Sequence, residues 1–139
     1  MLNFLPQFSG YLPLWTLLIS LTAIFNTFQN FLTLSLTKQI YNAKPEQVTE
    51  LSSRTFAVWS FCSAIIRFYV AYNINIESIY QLGIWTYVIG ISHFTSELLY
   101  FRSANIGPGL LAPIIVAGIS LIWMINQYSF YVNKNIKNE

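Results

Sequence analysis

The chain carries one histidine, His93, and one helical turn later a glutamate, Glu97, both inside the apolar stretch YQLGIWTYVIGISHFTSELLY at residues 80–100. Residues four apart project from one side of a helix, so the two side chains share a face. An imidazole can take up or release a proton near neutrality, and a neighbouring carboxyl can exchange one with a bound ligand. Such groups are costly in hydrocarbon and mark either a function or a satisfied structural pair. Acid–base chemistry, metal ligation and bundle architecture are therefore the readings to weigh.

Metal ligation lacks partners. There is no second histidine, no aspartate and no HExxH spacing, so a multi-ligand zinc or iron centre cannot be assembled. Cys62 is the one cysteine, which excludes an intrachain disulfide and a CxxC site and leaves it as a small packing residue. Gly107-Pro108-Gly109 is a turn rather than a phosphate loop, and no nucleophile elbow occurs. No cofactor is expected. The net charge of +2 on scattered basic residues gives no nucleic-acid footprint.

The elements that position His93 and Glu97 follow from composition: 55% of residues are hydrophobic, 9% are charged, and Asp is absent from all 139 positions. That is a membrane protein. Four apolar stretches, residues 11–36, 53–72, 78–101 and 110–131, are each long enough for a ~30 Å hydrocarbon core. The expected fold is all-α, a four-transmembrane-helix antiparallel bundle forming a single integral membrane domain over residues 1–139. The first stretch exceeds the apolar region of a cleavable signal and reads as a retained helix. The connection at 36–54 holds Lys38, Lys44, Glu46, Glu50 and Arg54; Asn42, Pro45 and Glu46 suggest that the second helix starts near Pro45. NINIES at 73–78 is a tight turn, RSANIGPG at 102–109 a helix stop and restart, and VNKNIKNE a polar, frayed tail.

With both termini and the tight turn on one side, Lys38, Lys44, Arg54 and Arg102 lie opposite Lys134 and Lys137, a weak majority favouring cytoplasmic loops. Tyr11, Tyr72, Tyr80, Tyr128 and Tyr131 fall at the tight-turn face as an aromatic belt. Absence of any Asn-x-Ser/Thr acceptor removes glycosylation as a guide to orientation.

Helical spacing gathers polar and small residues into stripes. These are Thr22, Asn26, Gln29 and Thr33 with Asn30 beside them; Arg54, Ala57, Ser60, Ala64, Arg67 and Ala71; Gly83, Thr86, Gly90, His93 and Glu97; and Pro113, Ala117, Ser120 and Gln127. Counted from the tight turn near Asn75, Glu97 and Arg54 lie at nearly equal depth, whereas Arg67 and Glu97 are separated by roughly 20 Å along the axis. Arg54 is thus the expected partner of Glu97, within a polar layer of Asn26, Gln29, Asn30, Arg54, His93 and Glu97. That layer serves bundle structure or partner contact. Arg67 is left as a snorkelling or interface charge near the other face.

The blocks NTFQNF at 26–31, SRTFAVWS at 53–60, AIIR at 64–67, LGIWTYVIGISHFTSELLY at 82–100 and GLLAPIIVAG at 109–118 resemble the ergosterol biosynthetic protein 28 family, from about Trp15 to Tyr131. The resemblance implies a four-span, multi-pass endoplasmic-reticulum protein without catalytic activity. It further implies a scaffold that tethers the sterol C-4 methyl oxidase, the 3β-hydroxysteroid C-4 decarboxylating dehydrogenase and the 3-keto-sterol reductase, with the sterol C-24 methyltransferase as a further partner in fungal members. It supplies no catalytic residues; Asn26, Gln29, Arg54, Trp59, Arg67, Trp85, His93, Glu97 and Pro113 are the positions within the matching blocks. The tail lacks a dilysine retrieval signal, because Asn135 and Ile136 precede Lys137.

A scaffold raises the effective concentration of consecutive enzymes around a hydrophobic intermediate. The alternative is a small intramembrane sterol isomerase or sterol-binding enzyme using His93 and Glu97, which requires an open cavity beside them. A proton-coupled pathway on Glu97 would need a second copy to enclose it. Homodimerisation has apolar and small-residue faces available to it.

Overall fold

The computed structural model describes residues 4–132 and is all-α, with no strand among the described residues. Its helices are α1 (Leu12–Leu32), α2 (Ser35–Ile40), α3 (Glu50–Tyr72), α4 (Glu77–Leu99), α5 (Pro108–Asn126) and α6 (Tyr128–Tyr131), with a 3-10 turn at Pro45–Gln47. Lys134, Lys137 and the polar tail lie outside the described residues. By length and composition α1, α3 and α5 can cross a membrane. At 23 residues α4 matches α3 in length, and Gln81, His93 and Glu97 interrupt its apolar run.

Two boundaries differ from the sequence expectation. The apolar run at 11–36 is not one helix: Thr33 is extended (φ −141°, ψ 152°), and α2 starts afresh at Ser35. Nor does α3 begin near Pro45. It starts at Glu50, where the Thr49 hydroxyl accepts from the Ser52 amide at 3.1 Å and the Ser52 hydroxyl accepts from the Thr49 amide at 2.9 Å. This reciprocal cap satisfies two amides that Asn42 cannot reach.

The tightest seam joins α1 and α3. Small residues Ala57, Ala64 and Ala71 recur every seven positions on α3, fully buried, and let the backbones approach. Ser20 donates to the Ala64 carbonyl (2.7 Å) and Thr27 to that of Ala57 (3.5 Å). Hence the inward face of α1 carries Thr16, Ser20, Thr27 and Asn30, and of the expected stripe only Asn30 is buried. Cys62, expected inside, is exposed.

Beyond the turn, α4 packs on both α3 and α5. Gly83 permits this, since a Cβ there would lie 2.8 Å from Val70 Cγ2 and 3.1 Å from Met124 Cε. The core divides in two. One cluster at the tight-turn end includes Leu12, Val70, Ile74, Tyr80, Met124 and Tyr131; a smaller one at the opposite end holds Phe94, Ala104 and Leu110. The tyrosines do gather at the tight-turn end, yet Tyr80 is 0% exposed and donates to the Met124 carbonyl, while Tyr11 is 78% exposed. They form a hydrogen-bonded plug as much as a belt, because a buried phenol needs a partner.

Candidate functional site

The cleft that contains His93 is built by the break in the first apolar run. After α2 the chain delivers Tyr41 onto the loop end of the bundle, and its hydroxyl lies 2.6 Å from His93 Nε2. The imidazole also meets Trp59 of α3 edge-on, with centroids 5.6 Å apart, and packs beside Phe94. Three elements thereby fix one ring. Burial, and secondarily the Glu97 carboxylate, push the Tyr41 phenol well above the ordinary tyrosine value. Tyr41 therefore keeps its proton and can donate it to Nε2, in which case a neutral His93 carries its own proton on Nδ1.

What holds α2 in place is a buried clasp. Thr37 Oγ1 lies 2.9 Å from Asn30 Oδ1 and 2.8 Å from Ser53 Oγ, and Ser53 donates to the Asn30 carbonyl at 2.9 Å. All three residues are at most 3% exposed, so each contact stands in for water that cannot enter.

Glu97 closes the other wall. Its carboxylate accepts from the Ser103 hydroxyl, and its main-chain carbonyl accepts from the Ser103 amide at 3.0 Å. This doubling-back needs the left-handed backbone at Arg102 (φ 54°). The first loop is stitched to the same hairpin: Lys44 donates to the Phe101 carbonyl (3.0 Å), the Ala43 amide to that of Ser103 (3.1 Å), and the Asn105 amide to the Asn42 side chain (2.7 Å). Gly109 allows α5 to start against α2, where a Cβ would lie 2.6 Å from the Gln39 carbonyl oxygen. The resulting cleft has a volume of about 730 Å³, with Tyr41, Trp59, His93, Glu97 and Ser103 in its walls.

The expected polar layer is thus dispersed. His93 and Glu97 share the cleft, and Asn30 belongs to the clasp behind it. Arg54 does not meet Glu97: it is 48% exposed and pairs with Glu50 at 3.7 Å, one turn back on its own helix. Equal depth is not enough when the side chains leave α3 and α4 in different directions. Asn26 is exposed and Gln29 half-buried. Arg67 does not snorkel either. It turns inward, donating from Nε to Thr86 Oγ1 at 3.0 Å, with its guanidinium carbon 4.3 Å from the Tyr87 ring centroid. Trp85 faces outward, 59% exposed.

Tyr41, Thr37, Ser53 and Ser103 were absent from the residues singled out in the sequence. Loop residues carry no periodicity; a Ser or Thr at each end of a connection was the one available cue. Chemically, the cleft offers a phenol–imidazole pair, a serine-bonded carboxylate and aromatic walls, a set suited to hydrogen-bonding one oxygen of an apolar ligand or a partner's side chain. Among the described residues no three of His, Cys, Asp or Glu gather in one place.

Residues 12–122 match the family described as Erg28 like protein. A Candida albicans protein named ergosterol biosynthetic protein 28 is 46% identical, over 89% of this chain and 90% of its own length. Its namesake from Saccharomyces cerevisiae is 43% identical, over 88% and 83%. The human protein named ergosterol biosynthetic protein 28 homolog is 34% identical, over 87% of each. No solved structure matches the chain.

Proposed function

Because the chain belongs to the Erg28-like protein family, we propose that it serves ergosterol biosynthesis as a non-catalytic, multi-pass scaffold of the endoplasmic-reticulum membrane. The observation that carries this reading is the near full-length similarity to relatives named for that pathway. In this reading all four long helices cross the bilayer as an antiparallel bundle. The tight turn returns α4 along α3, so a crossing by one entails a crossing by the other. The stitched loops, bearing Lys38, Lys44, Arg54 and Arg102, face the cytoplasm.

The enzymes held are the sterol C-4 methyl oxidase, the C-4 decarboxylating dehydrogenase and the 3-keto-sterol reductase, with the C-24 methyltransferase as a further partner. Outward apolar side chains such as Phe25, Phe28, Ile65, Trp85 and Ile122 supply faces for partner helices. Affinity purification from detergent, with each enzyme present or deleted, reads partner binding and self-association together. Loss of the protein should slow C-4 demethylation while the isolated enzymes keep their chemistry. If the purified enzymes stay inactive until catalytic amounts of this protein are added, the scaffold reading is wrong.

A second reading is favoured by one observation, the Tyr41–His93 hydrogen bond at the wall of an open cleft. It makes the protein a sterol-binding enzyme with His93 and Glu97 as acid and base. Under that reading His93→Ala and Glu97→Gln abolish turnover and spare the pull-down. The scaffold predicts no intrinsic turnover to lose.

A further inference from the structure

A second cavity, of about 460 Å³, lies between the two core clusters and is lined by all four long helices. Its volume falls within the ~300–1,000 Å³ typical of pockets for drug-sized ligands. The mouth lies where α1 and α5, which touch only lightly, part from one another: Thr22, Asn26 and Ala112 line the cavity yet remain exposed. Gly90 contributes open space, because a Cβ added there would meet nothing within 4 Å. This differs from Gly83 on the same helix, which is a packing glycine. Entry is therefore lateral, from the hydrocarbon.

Two polar groups in the wall keep hydrogen-bonding capacity to spare. Arg67 uses Nε and Nη2 on the Thr86 hydroxyl and carbonyl, at 3.0 and 3.5 Å, but Nη1 donates to no described residue. No carboxylate pairs with Arg67 either; the ion pair found among the described residues is Arg54–Glu50. The Tyr87 hydroxyl, in a residue 1% exposed, is likewise without a hydrogen-bond partner. Ser120 donates its one proton to the Val116 carbonyl and accepts from Trp15 Nε1 at 2.8 Å; its oxygen lies toward the Tyr87 phenol without making a hydrogen bond of normal geometry to it. An unpaired guanidinium within a membrane bundle is costly, and a bidentate carboxylate is the counter-charge that compensates it best.

Depth sets the orientation of such a ligand. The guanidinium reaches Thr86 and Tyr87, nine and ten residues into α4 and so about 14 Å inside its tight-turn end, and the lining of α5 runs from that level at Ala117 to Pro108, about 14 Å toward the loops. A carboxylate on the guanidinium therefore lies at mid-bundle, with the apolar body directed from there toward the loop end.

We propose that the cavity binds a carboxylate-bearing amphiphile with a single apolar body, its carboxylate held by Arg67 and Tyr87 and its body lying along Gly90 between α1 and α5. The site adjoins the His93 cleft, from which Phe56 and Trp59 divide it; it rests on the membrane-spanning arrangement proposed above but not on the scaffold role, since its test measures binding by this protein alone.

The test places the full chain in phosphatidylcholine nanodiscs with a photoactivatable diazirine analogue of stearic acid, and maps the crosslinks by mass spectrometry. Label should concentrate on the cavity segments of α1 and α5, and unlabelled stearate should suppress it where stearyl alcohol does not. Arg67→Gln should cut saturable labelling about tenfold or more, the range for losing charge-assisted hydrogen bonds, while Arg67→Lys retains most of it. Gly90→Leu leaves Arg67 intact and fills the cavity; it should abolish labelling in a variant whose helicity and elution are unchanged, and it carries the test if Arg67→Gln fails to fold. The proposal is overturned if stearyl alcohol competes as well as stearate, if both variants label like the parent, or if label spreads evenly over the lipid-facing helices. It is also overturned if phosphatidic acid displaces the probe and stearate does not.

Discussion

Replacing Thr37 by Val keeps the shape of the side chain and removes the hydroxyl at the centre of the clasp. That hydroxyl makes two contacts, at 2.9 Å to Asn30 and 2.8 Å to Ser53. A neutral hydrogen bond is worth about 0.5–1.5 kcal/mol net, and a buried group left unpaired costs about 1–3 kcal/mol. Within membrane bundles such pairs measure lower, about 0.6 kcal/mol on average, because the unfolded chain finds other partners. The expected loss for Thr37→Val is therefore about 2 kcal/mol, and Ser53→Ala, which also breaks the bond to the Asn30 carbonyl, should cost about the same. Since the Thr37–Ser53 contact is shared, the double variant should cost about 3 kcal/mol, a coupling of about 1 kcal/mol. Unfolding in mixed micelles, followed by tryptophan fluorescence, measures all three. Freed α2 should also carry Tyr41 off His93, so the Trp59 emission should respond before global unfolding. Additivity of the two single changes within about 0.5 kcal/mol would refute the clasp as the device that holds α2.

Arg54→Ala should change stability by less than about 0.5 kcal/mol, because its pairing with Glu50 is exposed and local; a loss above 2 kcal/mol in the same unfolding assay would mean that it has a buried partner. Gly83→Ala should destabilise by about 1–3 kcal/mol through overlap with Val70, and the Gly83→Ala/Val70→Ala pair should cost less than the sum of its members. For Tyr41, whose phenol is raised in the folded state, the unfolded phenol ionises above about pH 10 while the folded one stays protonated, so the unfolded state binds fewer protons and stability falls as pH rises. Tyr41→Phe should thus be less stable than the parent near pH 8, and the gap should narrow above pH 10; a constant gap across alkaline titration of the two proteins would contradict the assignment.

Composition and apolar run length determined the class of this protein and the approximate position of each long helix, because hydrocarbon leaves a chain few ways to satisfy its backbone. The tight turn at 73–76 was legible too, since two Asn residues close together between apolar runs favour a turn over a helix interior. So was the shared face of His93 and Glu97, which depends on nothing beyond 3.6 residues per turn. Partner assignment was not. Arg54 and Glu97 lie at equal depth, yet depth is one coordinate of three, and the rotation of α3 about its axis points Arg54 outward to Glu50 and Arg67 inward to Thr86. That rotation comes from the packing of Ala57, Ala64 and Ala71 against α1, a long-range fit that no local pattern encodes.

The break at Thr33 was hidden for a related reason. Residues 31–36 are as apolar as any helix interior, and what ends α1 is the gain from bringing Thr37 to Ser53, sixteen residues later in sequence. From that one fold-back follow the placement of Tyr41 on His93 and the wall of the cleft. Sequence alone determined that His93 and Glu97 lie together on one face of a long helix. Tertiary structure decided that a loop tyrosine and a loop serine, rather than an arginine, are the groups that meet them, because hydrogen bonds in a water-poor interior go to whichever donor the packing brings within reach.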